Sequence, residues 1–164
     1  MLAIALALVA TIAAASADPM LGAPCPDFAL FDLQNRQLRL ADLTEPVIVL
    51  NCFAFWCDTW IAQLPQLREL AAQQSSLHFH ILSISVDGVW IDQLQAVCGE
   101  NALPYPVLVD RDSRLSQTLG IRHVPTVFVL NRERKIVWVH EGYPGNSRLL
   151  RAIRQAQSTA ETGE

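Results

Sequence analysis

Several features that mark other protein classes are missing from this 164-residue chain. It has one lysine, Lys135, and a net charge of only −4, so it lacks both the basic footprint of a nucleic-acid-binding protein and the high charge of a disordered one. It contains no glycine-rich phosphate loop, zinc-ligand pattern, internal repeat or linker. These absences predict one folded domain over residues 18–164, with no cofactor, metal or nucleic-acid partner.

Charge is absent from the start of the chain. Residues 1–17 carry no charged side chain, and the small-x-small pattern at 15–17 is typical of a signal peptidase site. The stretch is shorter than the ~20 apolar residues that a membrane span needs. The sequence therefore predicts a signal peptide and an exported, periplasmic protein. The alternative is an uncleaved anchor that holds the domain on the periplasmic side of a membrane.

A second cysteine is absent near Cys57. This residue follows a continuous apolar run over 47–53 and precedes a helical pattern, which is where a Cys-x-x-Cys redox motif is expected. Trp60 stands where the second cysteine of that motif would be. Any sulfur chemistry at this turn must therefore use Cys57 alone or a distant cysteine, for which Cys98 is the candidate.

What is present is an alternation of strand and helix patterns. They predict an α/β domain with a mixed central sheet flanked by helices, preceded by a short N-terminal β-hairpin at 28–30 and 37–40. Pro65 is expected to kink the first helix. The predicted strands lie at 47–53, 78–86, 106–110, 126–130 and 136–140, and the predicted helices at 60–74, 90–98, 113–119 and 147–157.

Four segments together resemble the exported thioredoxin-fold proteins of the TlpA/ResA type, within the redoxin group that includes peroxiredoxins of the AhpC/TSA kind. They are residues 22–30, 49–57, 85–87 and 119–130. The resemblance runs over nearly the whole predicted mature chain and implies a thioredoxin-like fold. In this chain the usual Cys-x-x-Cys is degenerate and reads Cys-x-x-Trp.

The resemblance implies that the peptide bond before Pro125 is cis and that its loop packs against Cys57. It also implies a substrate-binding groove formed by five residues. These are Trp56, Trp60, Val124, Pro125 and Thr126. The main chain of Thr126 is expected to pair with a bound extended peptide.

Cys57 is expected at the N-terminus of a helix, where free N–H groups and the helix dipole favour a thiolate. The adjacent Asp58 opposes this, because a nearby carboxylate disfavours a second negative charge. Gln63 replaces an acidic residue that serves proton transfer in the family, and a neutral amide cannot do so. The losses at positions 60 and 63 together indicate a changed or abandoned dithiol mechanism.

The leading interpretation is a monothiol thiol–disulfide oxidoreductase. Cys57 would form mixed disulfides with protein thiols and disulfides, and an external reductant thiol would release them. One alternative is a redox-inactive binding module. Another is a peroxiredoxin-like peroxidase with Cys57 peroxidatic and Cys98 resolving, although Ala54 and Leu50 replace the family's peroxide-activating Thr and Pro.

The other cysteines and the histidines carry weaker predictions. Cys52 is expected to be a buried core residue and Cys25 to be exposed in the N-terminal loop. Four cysteines allow three full disulfide pairings, so the sequence leaves the connectivity open. His123 could approach Cys57, but one thiol and one imidazole are too few for a copper(I) site, and no metal is predicted.

Overall fold

The computed structural model of the protein describes residues 20–88 and 90–158, so the predicted signal peptide lies outside the described residues. Its centre is a seven-stranded sheet with the order β2-β1-β5-β4-β3-β6-β7. The strands are β1 (Ala29–Asp32), β2 (Gln37–Arg39), β3 (Val47–Phe53), β4 (Phe79–Ser85), β5 (Val107–Val109), β6 (Thr126–Leu130) and β7 (Ile136–Glu141).

The interior strand β3 is buried at every residue, as its apolar and β-branched sequence, interrupted only by Asn51, predicts. It pairs in parallel with β4 and antiparallel with β6. The predicted α/β class with a mixed central sheet is therefore confirmed. Because β3 runs directly into the turn before Cys57, the rigid centre of the sheet sets the place of this cysteine.

In the described part of the chain, five α-helices accompany the sheet, which has a separate core on each face. They are α1 (Asp58–Ala71), α2 (Gln74–Leu77), α3 (Ile91–Glu100), α4 (Arg114–Thr118) and α5 (Asn146–Ser158). One core holds the apolar side chains of α1, α3 and α5. The other holds those of α4 together with Cys25 and Phe28 from the N-terminal segment.

The N-terminal strands belong to the main sheet. β1 pairs antiparallel with β2 on one side and with β5 on the other. The hairpin therefore forms one edge of the sheet, which local sequence patterns cannot reveal because the β1–β5 pairing joins distant segments. The sequence patterns extended the first helix to residue 74 and did not predict α2, whereas α1 ends at Ala71 and α2 begins at Gln74.

None of the helices in the described ranges combines the length and apolar composition that crossing a membrane requires.

Candidate active site around Cys57

Cys57 is the N-cap residue of α1, with extended backbone angles of φ −85° and ψ 103°. Its N–H donates to the Ala54 carbonyl at 3.0 Å, and its own carbonyl accepts the Trp60 N–H at 2.9 Å. These bonds join the end of β3 to the first turn of the 14-residue helix. The side chain is 9% exposed, so the sulfur sits at the edge of the core beside the helix N-terminus.

The loop before β6 closes over Cys57. The Val124–Pro125 peptide bond is cis, as the resemblance implied. The Cys57 thiol donates to the Val124 carbonyl, with the sulfur 3.6 Å from the oxygen. The loop itself is tightened by the Thr126 hydroxyl, which donates to the His123 carbonyl at 2.7 Å. The hydrogen bond to Val124 requires the protonated thiol, so it is lost whenever Cys57 ionises or forms a disulfide.

Thr126 lies inside the sheet, so we correct the expected pairing of its main chain with a bound peptide. It is buried and is in register with Cys52 of β3 on one side and with Glu141 of β7 on the other. A main chain with neighbouring strands on both sides has no free edge for a third. Pro125 is also buried, whereas Val124 is partly exposed and remains the loop residue beside the sulfur.

Trp60 lies in the core, and its expected place in a surface groove is also corrected. The residue is completely buried, and its indole stacks on Phe53 with ring centroids 3.8 Å apart and an interplanar angle of 10°. The large apolar ring gains most by burial, which an exposed groove would deny it. A bulky core residue therefore occupies the position three residues after Cys57.

The polar atoms of Trp60 and Gln63 are unpaired within the described part of the chain. They comprise the indole Nε1 and both amide atoms of Gln63, all completely enclosed. Leaving a buried polar group without a partner costs ~1–3 kcal/mol. The two residues are three apart on α1, so they share one face of the helix. The first turns of α1 thus enclose an aromatic ring and a neutral amide whose polar atoms have no partner among the described residues.

Trp56 is the exposed aromatic residue next to the sulfur. It is 65% exposed, and the following helix residues Asp58 and Thr59 are exposed as well. An indole left in solvent beside a reactive group offers a large apolar contact surface to a partner. Of the two tryptophans that the sequence suggested for substrate binding, Trp56 alone is accessible.

Asp87 fixes the turn that carries Trp56, a role that the sequence analysis missed. Its Oδ2 accepts the Phe55 N–H at 3.0 Å, and its Oδ1 accepts the Ser85 hydroxyl. The turn is further tied to β4 by the Val86 N–H, which donates to the Phe53 carbonyl at 2.9 Å. The available signal was an aspartate two residues beyond a buried strand, at the same sheet end as Cys57.

We expect Asp87→Ala to lower the free energy of unfolding by ~1–3 kcal/mol, because the Phe55 N–H loses its acceptor. The freed turn should also change the rate at which iodoacetamide labels Cys57, measured by mass spectrometry of the labelled peptide. Ser85→Ala is the matched control, since it removes one bond to Asp87 and keeps the bond to Phe55. An unchanged labelling rate in Asp87→Ala would show that this carboxylate does not position the turn.

His123 does not pair with Cys57. Its Nδ1 lies 3.2 Å from Glu141 Oε1, and both side chains are exposed. Within residues 20–88 and 90–158, no group of three or more His, Cys, Asp or Glu residues could hold a metal ion.

Cys98 belongs to the same core as Cys57 but sits in a different setting. It lies near the end of α3 and borders a cavity of about 640 Å³ whose lining includes Tyr105 and not Cys57. Burial raises the pKa of the Cys98 thiol to about 11. Because the thiolate is the attacking form in disulfide exchange, this environment makes Cys98 a poor resolving group near neutral pH.

The raised pKa of Cys98 predicts how its labelling depends on pH. In the folded protein, iodoacetamide should leave Cys98 largely unmodified at pH 7 and modify it faster as the pH approaches about 11. In denaturant the same residue should react as an ordinary thiol, with a pKa near ~8.5. Peptide mass spectrometry over this pH range measures both curves, and coincident curves would contradict the assigned environment.

Curated relatives align with most of the chain. Two of them are thiol-disulfide oxidoreductases named ResA. The protein from Bacillus thuringiensis is 25% identical over 117 residues, which are 71% of this chain and 67% of the relative. The protein from Bacillus subtilis is 25% identical over 123 residues, which are 74% of this chain and 67% of the relative.

Solved structures share the fold. The exposed lipoprotein thioredoxin of Streptococcus pneumoniae superposes with a TM-score of 0.67 at 27% identity, covering 79% of this chain and 99% of that one. StoA from Bacillus subtilis superposes with a TM-score of 0.67 at 18% identity, covering 78% of this chain and 96% of that one. The domain therefore has a thioredoxin-like fold. The family profile for AhpC/TSA proteins matches residues 21–139, and this chain is a member of the AhpC/TSA family.

Proposed function

We propose that this protein is an exported thiol–disulfide oxidoreductase that forms mixed disulfides with protein substrates through the single thiol of Cys57. The observation that carries the proposal is the placement of Cys57, at the N-terminus of α1 and in contact with the Val124 carbonyl. The ResA relatives are named thiol-disulfide oxidoreductases, which supports the same chemistry here. Position 60 is a tryptophan buried in the core, so Cys57 is the one thiol that the proposed mechanism can use at this turn.

The proposed reaction is a pair of exchanges. The Cys57 thiolate attacks one sulfur of a substrate disulfide, a Cys57–substrate bond forms, and the second substrate sulfur leaves as a thiolate. An external thiol then attacks the mixed disulfide. If it attacks the Cys57 sulfur, reduced substrate leaves and the external thiol becomes bound to Cys57. If it attacks the substrate sulfur, the substrate leaves bound to the external thiol and the Cys57 thiolate is restored. A further external thiol restores Cys57 in the first case.

The surface around Cys57 suits a protein partner. Trp56, next to Cys57 in sequence, offers an exposed apolar ring, and the Val124 carbonyl lies 3.6 Å from the sulfur. Ile61, one helical turn along α1, and Trp90, at the start of α3, are further exposed apolar side chains. These residues would contact the chain that flanks a substrate cysteine, with protein thiols and disulfides as the partners.

Export is part of the proposal and rests on the uncharged apolar stretch at residues 1–17. A periplasmic location supplies disulfide-bonded substrates, because disulfides persist in oxidising compartments. If the leading segment stays attached, the domain would act at the membrane surface.

A redox-inactive binding module is the second candidate, and the core placement of Trp60 favours it. A stacked indole and an enclosed amide at positions 60 and 63 remove the second thiol and the acid from the turn. Exposed Trp56 would then serve recognition alone. The two candidates differ in one property, which is whether the Cys57 sulfur becomes covalently attached to a partner.

We expect the full-length protein, incubated with insulin and then acid-quenched and alkylated, to yield a mixed disulfide at Cys57. A non-reducing gel followed by mass spectrometry identifies the attached peptide. Cys57→Ser should abolish the adduct, while Cys25→Ser, on the other face of the sheet, should retain it. Absence of a Cys57 adduct in the natural protein would overturn the oxidoreductase proposal and favour the binding module.

Trp60→Cys tests whether a second thiol at position 60 supports dithiol exchange. Trp60→Ser is the control, because serine is nearly the same size as cysteine but has no thiol. Both changes should lower the free energy of unfolding by ~3–5 kcal/mol, because each empties the same space in the core. Residues three apart on a helix lie close enough for a disulfide, so only the cysteine variant regains a dithiol. We expect Trp60→Cys to reduce insulin faster than Trp60→Ser. Equal rates would show that the turn does not support dithiol exchange.

A further inference from the structure

Two cysteines lie on the face of the sheet opposite Cys57. Successive side chains of a strand point to opposite faces, and β3 follows this rule at its end. Phe53 packs in the core that contains Cys57, whereas Cys52 packs in the other core together with Cys25. Cys25 is buried, contrary to the exposed position that the sequence suggested. All four thiols are free in this structure.

Main-chain contacts hold Cys25 across this second face. Its N–H donates to the Arg134 carbonyl at 2.8 Å, and Pro24 forms a bridge with Lys135 in the turn before β7. Pro26, the next residue, lines a cavity together with Asp110 at the end of β5. Cys25 therefore lies where the N-terminal segment crosses the sheet from the β7 side towards β5, and this path passes over β3.

Both thiols on this face of the sheet lie in surroundings that disfavour the thiolate. Burial raises the pKa of Cys52, and the charges of Cys25 and Asp110 raise it further. Cys25 and Cys52 belong to the same buried core, which places the two thiols on one face of the sheet. Burial, followed by the charge of Asp27, raises the pKa of Cys25 to about 12. Both thiols are thus protonated and unreactive in the folded, reduced protein.

We propose that Cys25 and Cys52 form a structural disulfide that fastens the N-terminal segment to the central strand β3. The bond closes a loop that contains β1 and β2, so it would hold the edge hairpin to the centre of the sheet. It is distinct from the proposed chemistry of Cys57, from which the sheet separates it.

The bond has to form during folding, because Cys52 is completely buried in the folded chain. A low-molecular-weight disulfide such as oxidised glutathione serves as the oxidant. The Cys25 thiolate attacks one of its sulfurs and releases the first glutathione thiolate. The Cys52 thiolate then attacks the Cys25 sulfur and releases the second. Two cysteine thiols become one disulfide, one glutathione disulfide becomes two thiols, and the two protons end on those thiols.

The experiment uses the full-length chain with Cys57→Ser, refolded from denaturant in a mixture of oxidised and reduced glutathione. Free thiols are then alkylated in denaturant, and the chain is cut with trypsin. The peptide that ends at Arg36 contains Cys25, the peptide over 40–68 then contains Cys52 as its one cysteine, and the peptide over 69–111 contains Cys98. We expect a cross-link between the first two peptides and an alkylated third.

Thermal unfolding provides the second readout. The oxidised protein should melt about 5 °C or more above its reduced form, because the bond restricts the unfolded chain. Cys25→Ser should remove both the cross-link and this difference in Tm, while Cys98→Ser should retain both. Recovery of Cys25 and Cys52 as alkylated residues after refolding, or a cross-link from either to Cys98, would overturn the proposal. The outcome is independent of adduct formation at Cys57, so failure of one proposal leaves the other intact.

Discussion

The complete burial of β3 is the constraint on which the rest of the molecule depends. A strand enclosed on both faces can satisfy its main-chain polar groups only through neighbouring strands, and β4 and β6 supply those partners. This fixes the registers of the two strands at the end where Cys57 emerges. The same registers bring the turn after β4 and the cis-proline loop before β6 to the two sides of the turn before α1. The reactive group is thus placed by the most rigid part of the sheet.

The turn that carries Cys57 is held by contacts from both neighbouring strands and by an aromatic stack in the core. Asp87 and Val86 tie it to β4, and the Val124 carbonyl meets the sulfur from the β6 side. Between β3 and α1, the stacked rings of Phe53 and Trp60 fill the core beneath this turn. The stabilisation from burying the Trp60 ring offsets the cost of enclosing its N–H without a partner. A buried aromatic contact therefore lies three residues after Cys57 in the first turn of α1.

Sequence patterns predicted the features that depend on local composition. The β3 strand and the bounds of β6 at Thr126–Leu130 followed from them, whereas the thioredoxin-like fold followed from the resemblance of four segments to a known family. The resemblance misplaced Trp60 in a groove, because the burial of its ring depends on how α1 packs against β3 in this chain. The patterns could not reveal that Thr126 has strands on both sides, or that Asp87 accepts the Phe55 N–H, because both depend on pairing between distant segments.

The alternation of β3 at its last two residues has a consequence for the chemistry of sulfur in this protein. Cys52 and Cys57 are five residues apart in sequence, yet they belong to cores on opposite faces of one continuous sheet. A thiol in one core cannot react with a disulfide in the other unless the hydrogen bonds of the sheet between them open. The sheet therefore separates the thiols of Cys25 and Cys52 from that of Cys57, and the oxidation state of each group is set independently. A single chain can thus carry a lasting cross-link on the face of Cys25 and Cys52 while the Cys57 sulfur on the opposite face stays available for exchange.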